Sequence, residues 1–402
     1  MKKKYTRRQL IRTGTATAGV AMAAGLTGQK LMAQAAPVDT PTLVLLFLRG
    51  GYNALFSAAN AYVPNGAFGT SANSIRDLGN GLVVDRTFDA FSDFAKAHMA
   101  SVGIQHGSNN HGNSKRLLLR PEGEWRLLRL AAEMGGDGVI KFAGINLDGD
   151  QVDTNAAAIN GVSPQIIRDF ENTANVLGAG TDPALILKAR IQQQGILAAQ
   201  GISGAHLTMN SSSLITAQNG YQTGAAILEK QATAEPIDVD MIRAAYGVRG
   251  NNISGNNMAM QMAAAEMMVR ANANVVQCSQ GGWDSHGDTD GNRVRNQMQD
   301  NMQALSTFVD RMVDQPGRNV VLAIIGDFNR TIGNSGHGRG LAATVIGKGV
   351  QQGTTVQMND RSALVGGTPG PDGFWGYLGQ LLGAPDSFRS RFANPHKSLI
   401  KL

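Results

Sequence analysis

The feature that most constrains the fold is the apolar segment Thr42–Leu48, which contains no charged residue and is followed by Arg49-Gly50-Gly51. A strand that is buried on both faces has such a continuous apolar sequence, and strands of this kind are typical of parallel sheets covered by helices. Similar segments occur at residues 99–104, 275–278, 320–325 and 342–346. The sequence therefore predicts a mostly parallel sheet built from these segments.

Helical patterns separate the predicted strands, at residues 88–97, 125–134, 184–199, 258–273 and 294–313. Strands that alternate with helices over this length predict a three-layer α/β/α sandwich. Residues 145–255 are different, because they are rich in Asn, Ala, Gln, Gly and Ser and lack strong strand patterns. We interpret them as a helical insertion or cap over one edge of the sheet.

Residues 1–35 have the pattern of a twin-arginine signal peptide. Arg7-Arg8 precedes a weakly apolar segment, and Ala33-Gln34-Ala35 forms a cleavage site of small residues. The apolar segment is shorter than the roughly 20 apolar residues that span a bilayer. We therefore expect export of the folded chain by the twin-arginine translocon to the periplasm or the medium, with no stable membrane span after cleavage. Residues 36–402 are predicted to form a single domain.

The charge of the chain comes mainly from this signal. Residues 1–35 carry seven Lys and Arg residues and no acidic residue, so without them the formal net charge of +6 falls to −1. A near-neutral chain argues against nucleic acid as a partner, because nucleic-acid binding requires a concentrated basic face. Cys278 is the only cysteine, which excludes an internal disulfide, and its apolar surroundings predict a packed, inert thiol.

Polar residues follow the predicted strands at their carboxyl ends. They occur at residues 50–53, 281–288 and 326–331, and His337 lies in the next loop. In open parallel sheets, ligands bind in the crevice at the carboxyl ends of the strands. These separate segments are therefore predicted to deliver their polar side chains to one place.

Asp284, His286 and His337 are candidate metal ligands. A mixture of carboxylate and imidazole suits zinc, manganese or iron, and one divalent ion of this kind activates water or polarises a phosphoryl or sulfuryl oxygen. An alternative remains for the acidic residues. Asp284 and Asp288 have the residue type of turns and helix caps, and Asp327 could cap a strand end or pair with Arg330.

A second polar cluster, residues 105–116, follows the predicted strand at 99–104. Its hydroxyl, amide and cationic groups could hold an anionic ester. A segment so rich in Asn and Gly is also typical of an ordinary turn. A serine hydrolase of the elbow type is disfavoured, because no Gly-x-Ser-x-Gly follows a strand.

The motifs together resemble a known family. They are residues 45–51, Gly282-Trp283-Asp284-Ser285-His286-Gly287-Asp288, Asp327-Phe328-Asn329-Arg330-Thr331 and Gly336-His337-Gly338. In their order and sequence they resemble a family of twin-arginine-exported proteins catalogued as domain of unknown function 1501, which is similar to the alkaline phosphatase and sulfatase superfamily. The resemblance implies an alkaline-phosphatase-like α/β/α fold and hydrolysis of phosphate or sulfate esters at one or two metal ions.

The resemblance places Asp284, His286 and His337 at metal-ligand positions, and Asp327 where the family usually has Glu. The sequence departs from the family pattern at three places. The family's Asp-His near the end has no clean counterpart, and Gly336-His337-Gly338-Arg339 is the nearest piece. The family's Asp after the first strand is Asn53 here, which removes a charge that would hold an ion.

The third departure concerns the nucleophile. The family's serine is matched by Asn110, and its neighbouring histidine by His111. Ser108 or Ser114 could replace the missing hydroxyl if the loop has a different register.

Two hypotheses follow. The first is an exported, divergent, metal-dependent hydrolase of phosphate or sulfate esters with one divalent ion, zinc or manganese. Its metal ligands are Asp284, His286 and His337, its catalytic residues Asp327, His111 and Ser114, and its substrate-binding residues Asn53, Asn110, Arg116 and Arg330. The second is a degenerate, non-catalytic member of the fold that acts as a binding or surface-assembly protein.

Overall fold

The computed structural model describes residues 40–134, 140–147, 158–178, 237–359 and 363–401. Its strands are β1 (Thr42–Leu48), β2 (Ile75–Asp77), β3 (Val83–Asp85), β4 (Met99–Gln105), β5 (Phe142–Ile145), β6 (Gln165–Ile167), β7 (Val275–Gln280), β8 (Val320–Gly326), β9 (Gly340–Gly347) and β10 (Gly353–Thr354). Its α-helices are α1 (Asp93–Ala97), α2 (His111–Leu119), α3 (Arg126–Glu133), α4 (Phe170–Gly178), α5 (Val239–Ala245), α6 (Met258–Arg270), α7 (Asn292–Phe308), α8 (Pro371–Leu381) and α9 (Asp386–Arg389).

Eight strands form one sheet in the order β10-β4-β9-β8-β1-β7-β5-β6, and β2 pairs with β3 in a separate ribbon. The pairings of β1 with β7 and β8, of β7 with β5, and of β5 with β6 are parallel. Strand β9 is antiparallel to both β8 and β4. The prediction of an α/β fold with a mostly parallel sheet is therefore confirmed.

The reversed direction of β9 was not foreseen from the sequence. The connection from β8 to β9, residues 327–339, contains no helix that could carry the chain back across the sheet. The chain therefore re-enters the sheet at the edge where β8 ends. As a result, the start of β9 lies at the same edge as the carboxyl ends of β1, β7 and β8, which we call the carboxyl edge.

The sheet has an apolar layer on each face. Alternate side chains of β1 divide between the two layers, with Leu43, Leu45 and Phe47 on one face and Val44, Leu46 and Leu48 on the other. Helices α6 and α7 pack in the layer with Val44, and α3 and α8 pack in the layer with Leu43. This arrangement is compatible with a three-layer α/β/α sandwich, and it explains why β1 is apolar throughout.

The predicted helices at residues 125–134, 258–273 and 294–313 correspond to α3, α6 and α7, and α7 continues into a π-helical turn, Val309–Val313. The predicted helix at 88–97 is wrong in its first half. There a 3₁₀ turn, Arg86–Ala90, is followed by Ser92, whose Oγ accepts a hydrogen bond from Ala95 N and begins α1.

Other predictions concern residues that the structure describes only in part. Residues 1–35 and 184–199 lie outside the described residues. Of the predicted insertion 145–255, the described part includes β6, which pairs with β5 at the edge of the sheet. Among the described residues, no helix combines the length and the apolar character needed to cross a membrane.

Candidate metal centre

Two glycines let three loops meet at the carboxyl edge. Gly50 and Gly51 have φ angles of +111° and +125°, a region that L side chains rarely adopt. A Cβ on Gly50 would lie 2.2 Å from the backbone N of Asp284, and one on Gly51 would lie 2.9 Å from Nε of Arg330. The loops after β7 and β8 can therefore pack against the loop after β1 only because both positions lack a side chain.

Five side chains gather beside these glycines, and we call them the edge cluster: His111, Asp284, His286, Asp327 and His337. Asp327 is buried, and its Oδ2 accepts hydrogen bonds from Gly50 N at 2.8 Å and from His111 Nδ1 at 2.6 Å. Because a carboxylate only accepts, the ring proton of His111 lies on Nδ1. The other nitrogen, Nε2, faces Asp284 Oδ2 at 3.7 Å.

His337 is oriented in the same way by a different acceptor. Its Nδ1 donates to the carbonyl oxygen of Asn109 at 2.7 Å, so its Nε2 carries the lone pair. That Nε2 lies 2.8 Å from Nε2 of His286. The His337 ring stacks on Phe328, with 4.3 Å between the ring centroids. Burial lowers the pKa of His337, as do the neighbouring charges of His111 and Arg330, although the Asn109 carbonyl opposes the shift.

Asp284 is held by a buried arginine. Its Oδ1 accepts a hydrogen bond from Arg330 Nη2 at 2.6 Å and lies 3.4 Å from His286 Nε2. Burial by itself would raise the pKa of the Asp284 carboxyl. The hydrogen bond and charge of Arg330, together with the charges of His286 and His111, outweigh that effect and hold the pKa below its usual range. Asp284 is therefore an anion at neutral pH.

The position of Arg330 contradicts its predicted role in substrate binding. The side chain is fully buried, and besides Asp284 it donates to the carbonyl oxygens of Ser335, at 2.9 Å, and of Gly50. A guanidinium that is enclosed and bonded in this way does not reach a ligand from solvent. Its observed role is to fix Asp284 and to join the loops after β1 and β8.

His111, Asp284 and His337 form a group that could hold a metal ion, since each offers a ligand atom and these atoms lie within 4.8 Å of one another. The group differs from the predicted set by containing His111 in place of His286. His286 still lies in the cluster, in contact with His337 and Asp284. The structure thus brings together the predicted metal ligands and two of the predicted catalytic residues, Asp327 and His111.

The predicted nucleophile Ser114 does not join the cluster. Its side chain is fully buried inside α2, and its Oγ donates to the carbonyl oxygen of Ser108 at 3.1 Å. Ser108 is also nearly buried, and its Oγ accepts a hydrogen bond from Asn110 N at 3.2 Å. We therefore correct the prediction for Ser114, because its hydroxyl is enclosed and bonded to the loop that precedes α2.

Two amides that were predicted to bind substrate have local structural roles instead. Asn110 is the N-cap of α2, where its Oδ1 accepts from Asn113 N at 3.0 Å. Asn53 is buried, and its Oδ1 accepts from Leu55 N at 3.1 Å to cap a 3₁₀ turn. Arg116 stays exposed on α2 and donates to Asn113 Oδ1 at 2.9 Å. Of the predicted substrate-binding residues, Asn110 and Arg116 remain exposed, whereas Asn53 and Arg330 are buried.

The alternative interpretation of the acidic residues is correct for Asp288. Its carboxylate accepts from the backbone N of Arg293 at 3.2 Å and of Val294 at 3.1 Å, so it caps α7. Asp284 makes no such cap, which distinguishes two acidic residues that the sequence pattern alone did not separate.

Three groups in these loops have partners that were not foreseen from the sequence. The carbonyl of Asn109 orients His337, and Phe328 supports its ring. His106 is buried with its Nδ1 accepting from Ser108 N, and burial lowers its pKa to about 4. A backbone carbonyl has no sequence signal, whereas Phe328 and His106 lie in motifs already recognised as polar loops after strands.

Comparison with known families gives a match over about half of the chain. The model of a family described as "Protein of unknown function (DUF1501)" matches residues 157–365. The matched range includes Asp284, His286, Asp327 and His337, and His111 precedes it. A search of curated proteins finds no match.

Proposed function

The chain belongs to the DUF1501 family of proteins of unknown function, and from that premise we propose that it is an exported hydrolase of phosphate or sulfate esters that uses one divalent metal ion. The proposal includes the twin-arginine route, so that the metal is inserted while the chain folds in the cytoplasm. It also includes a likeness to alkaline phosphatases and sulfatases. Because fold analogy does not establish an activity, the support for hydrolysis comes from the edge cluster.

The observation that carries the proposal is the way in which two histidines are held. His111 donates Nδ1–H to a carboxylate and His337 donates Nδ1–H to a carbonyl. Metal-binding histidines in proteins are oriented by such bonds, which fix the tautomer and leave Nε2 as the ligand. With the ionised Asp284 beside them, the three residues supply two nitrogens and one oxygen.

This donor set favours zinc or manganese. Imidazole and carboxylate are ligands of borderline and hard character, and catalytic zinc sites use three protein ligands and leave a position open. The sulfur of Cys278 is buried within β7 and belongs to the apolar core, so the proposed site is free of thiolate. A bound ion would lower the pKa of a water molecule and polarise an ester oxygen.

The remaining residues of the cluster have roles that follow from their contacts. Asp327 orients His111 by accepting its Nδ1–H. His286 is half-exposed beside His337 and Asp284, where it can take up or release a proton during hydrolysis. Outside the cluster, Arg116 is exposed on α2, and in this proposal it meets the negative charge of the ester. Since Ser114 is enclosed, the attacking group in this proposal is water.

The test combines metal analysis with turnover. We expect about one zinc or manganese ion per chain in protein folded in the cytoplasm, with hydrolysis of 4-nitrophenyl phosphate or 4-nitrophenyl sulfate. His111→Ala should lose the metal and at least about 100-fold in kcat/KM. His98→Ala is the matched control, because His98 is a partly buried histidine bonded to the carbonyl of Phe94 and lies outside the cluster.

The rival hypothesis is a binding or surface-assembly protein without turnover. The enclosed Ser114 and the amide at Asn53 favour it, because both remove groups that the resembled superfamily uses. Metal-free protein that is inactive on both esters would support this rival and contradict the hydrolase. Bound metal that is equally retained by His111→Ala would also contradict the proposed site.

A further inference from the structure

A second candidate ligand site lies on the helical face of the molecule. A cleft of about 450 Å³ opens between the start of α6 and the C-terminal half of α7. Most of the residues that line it carry an amide or a hydroxyl group: Tyr246, Ser254, Asn256, Asn257, Asn301, Gln303 and Thr307. Among the described residues that line the cleft, the charged side chain is Asp300.

The chemistry of these walls selects a class of ligand. Amides and hydroxyls both donate and accept hydrogen bonds, which matches a ligand with many hydroxyl groups. Ligand sites commonly combine such polar groups with apolar surface, which Met258 and Ala304 provide here. Asp300 would repel an anion, and the described lining supplies no cation to offset it. The cleft therefore suits a neutral ligand.

Hydrogen bonds connect one wall of the cleft to the turn that carries Asp284 of the edge cluster. Asn301 lines the cleft, and its Nδ2 donates to Gln280 Oε1 at 2.7 Å while its Oδ1 accepts from Gln280 Nε2 at 3.1 Å. Gln280 Oε1 also accepts from Trp283 Nε1 at 3.1 Å. Because Trp283 directly precedes Asp284, the wall of the cleft holds the turn that carries a proposed metal ligand.

The two sites are also close along the backbone. Asn256 borders the cleft, and its Oδ1 lies 3.1 Å from where a Cβ on Gly281 would be. The three Cα–Cα steps from Gly281 to Asp284 span at most about 11 Å. One substrate could therefore occupy both sites, with an ester at the edge cluster and a neighbouring sugar unit in the cleft.

We propose that the cleft between α6 and α7 binds a neutral saccharide and serves as the subsite for the uncharged part of the substrate. The assignment to a substrate rests on the proposed ester hydrolysis. The prediction that the cleft binds a saccharide does not rest on hydrolysis, because it follows from the lining of the cleft alone.

The test is isothermal titration of the full-length protein, as purified, with cellohexaose, maltohexaose and chitohexaose. We expect at least one of them to bind, and Gln303→Met to weaken that binding at least about tenfold, because an amide that faces the ligand is lost. Gln299→Met is the matched control, since Gln299 is exposed on the same helix but does not line the cleft. Thr307→Val, which removes one hydroxyl at nearly constant volume, should weaken binding as well.

Failure to bind all three oligosaccharides would overturn the inference, and so would equal weakening by Gln303→Met and Gln299→Met. These probes carry no phosphate or sulfate, so the result does not depend on hydrolysis. An active hydrolase that binds none of them refutes the cleft alone. A saccharide-binding protein without ester turnover refutes the hydrolase and the substrate role of the cleft together.

Discussion

Two clusters of charged side chains in this molecule differ in how completely their donors and acceptors are used. In the helical layer, Glu266 is fully buried, and its carboxylate accepts from Arg270 Nε at 2.9 Å, from Arg311 Nε and Nη2 at 2.8 and 2.7 Å, and from Tyr246 Oη at 3.0 Å. We call these four residues the buried cluster. Its carboxylate has no remaining capacity for a ligand.

The edge cluster is only partly buried, and two of its histidines each direct one ring nitrogen into the cluster. His111 and His337 each use Nδ1 for a fixed partner and turn Nε2 toward Asp284 or His286. Both clusters combine acidic and basic groups, so charge content alone does not separate them. The difference teaches that a saturated, enclosed cluster stabilises the fold, whereas a cluster with aligned and accessible lone pairs can bind a cation.

The largest effect is expected in the buried cluster. Glu266→Ala should lower the free energy of unfolding by about 3–5 kcal/mol, because it removes the buried carboxylate that compensates the buried Arg270 and the partly buried Arg311. Urea denaturation measures the change. Asp386→Ala is the control, since Asp386 pairs with Arg389 at the surface, and it should cost less than about 1 kcal/mol. Equal losses for the two variants would remove the distinction between buried and exposed pairs.

In the edge cluster, we expect a substitution to change metal affinity strongly and the free energy of unfolding little. His337→Ala is expected to weaken zinc or manganese binding by more than about 100-fold, since it removes a ligand atom. Its effect on the free energy of unfolding should stay near 1 kcal/mol, because the side chain is only partly buried. Metal titration and urea denaturation of the same variant provide both values. A large loss of stability with unchanged metal affinity would make this cluster structural.

A smaller effect on metal affinity is expected from Asp327, which orients the proposed ligand His111. Asp327→Asn keeps the size of the side chain but removes the charge that His111 Nδ1 faces at 2.6 Å. Metal affinity should fall by about 10–100-fold, as for other groups that orient ligating histidines. Asp288→Asn, at the cap of α7, is the matched control and should leave metal affinity unchanged. If both substitutions have the same effect, Asp327 does not act through His111.

The smallest expected effect is the pH dependence of the buried cluster. Burial by itself would raise the pKa of Glu266, but the hydrogen bonds of Arg311 and Arg270 outweigh it and hold the pKa below the usual 4.5. A depressed pKa stabilises the folded state fully above the unfolded value and loses that effect as pH falls through the folded value. The stability advantage of the native chain over Glu266→Gln should therefore be constant from about pH 7 to about pH 5 and decline below about pH 4.5. An advantage that grows on acidification would contradict the shift.

The sequence was sufficient to predict where the edge cluster lies, because its position follows from the topology of the sheet. Asp284 and Asp327 follow buried parallel strands, and the carboxyl ends of such strands share one edge. His337 reached that edge even though the direction of β9 was not foreseen, since the chain turns back without leaving it. The apolar pattern of β1 predicted the sheet for the same reason, because burial on both faces requires it.

The hydrogen-bond and ion-pair partners of individual side chains were less predictable, since they depend on which groups the folded backbone brings within reach. Arg330 was expected to face substrate, but the missing side chain at Gly51 provides a buried path to Asp284. Ser114 lies on the buried face of α2. Which face of this helix is buried depends on how α2 packs in the fold, and the sequence pattern does not specify that. The pairing of Glu266 with Arg270 follows from helical spacing, whereas its contact with Arg311 joins two different helical segments and has no local signal.

The most direct test of the account is X-ray absorption at the metal edge of protein purified after folding in the cytoplasm. The account predicts one ion with nitrogen and oxygen ligands at about 2.0–2.2 Å, at least two of them imidazoles, and no sulfur ligand. His111→Ala should remove one imidazole contribution or the ion itself. A sulfur ligand, or a spectrum that His111→Ala leaves unchanged, would contradict the claim that the edge cluster is a metal centre.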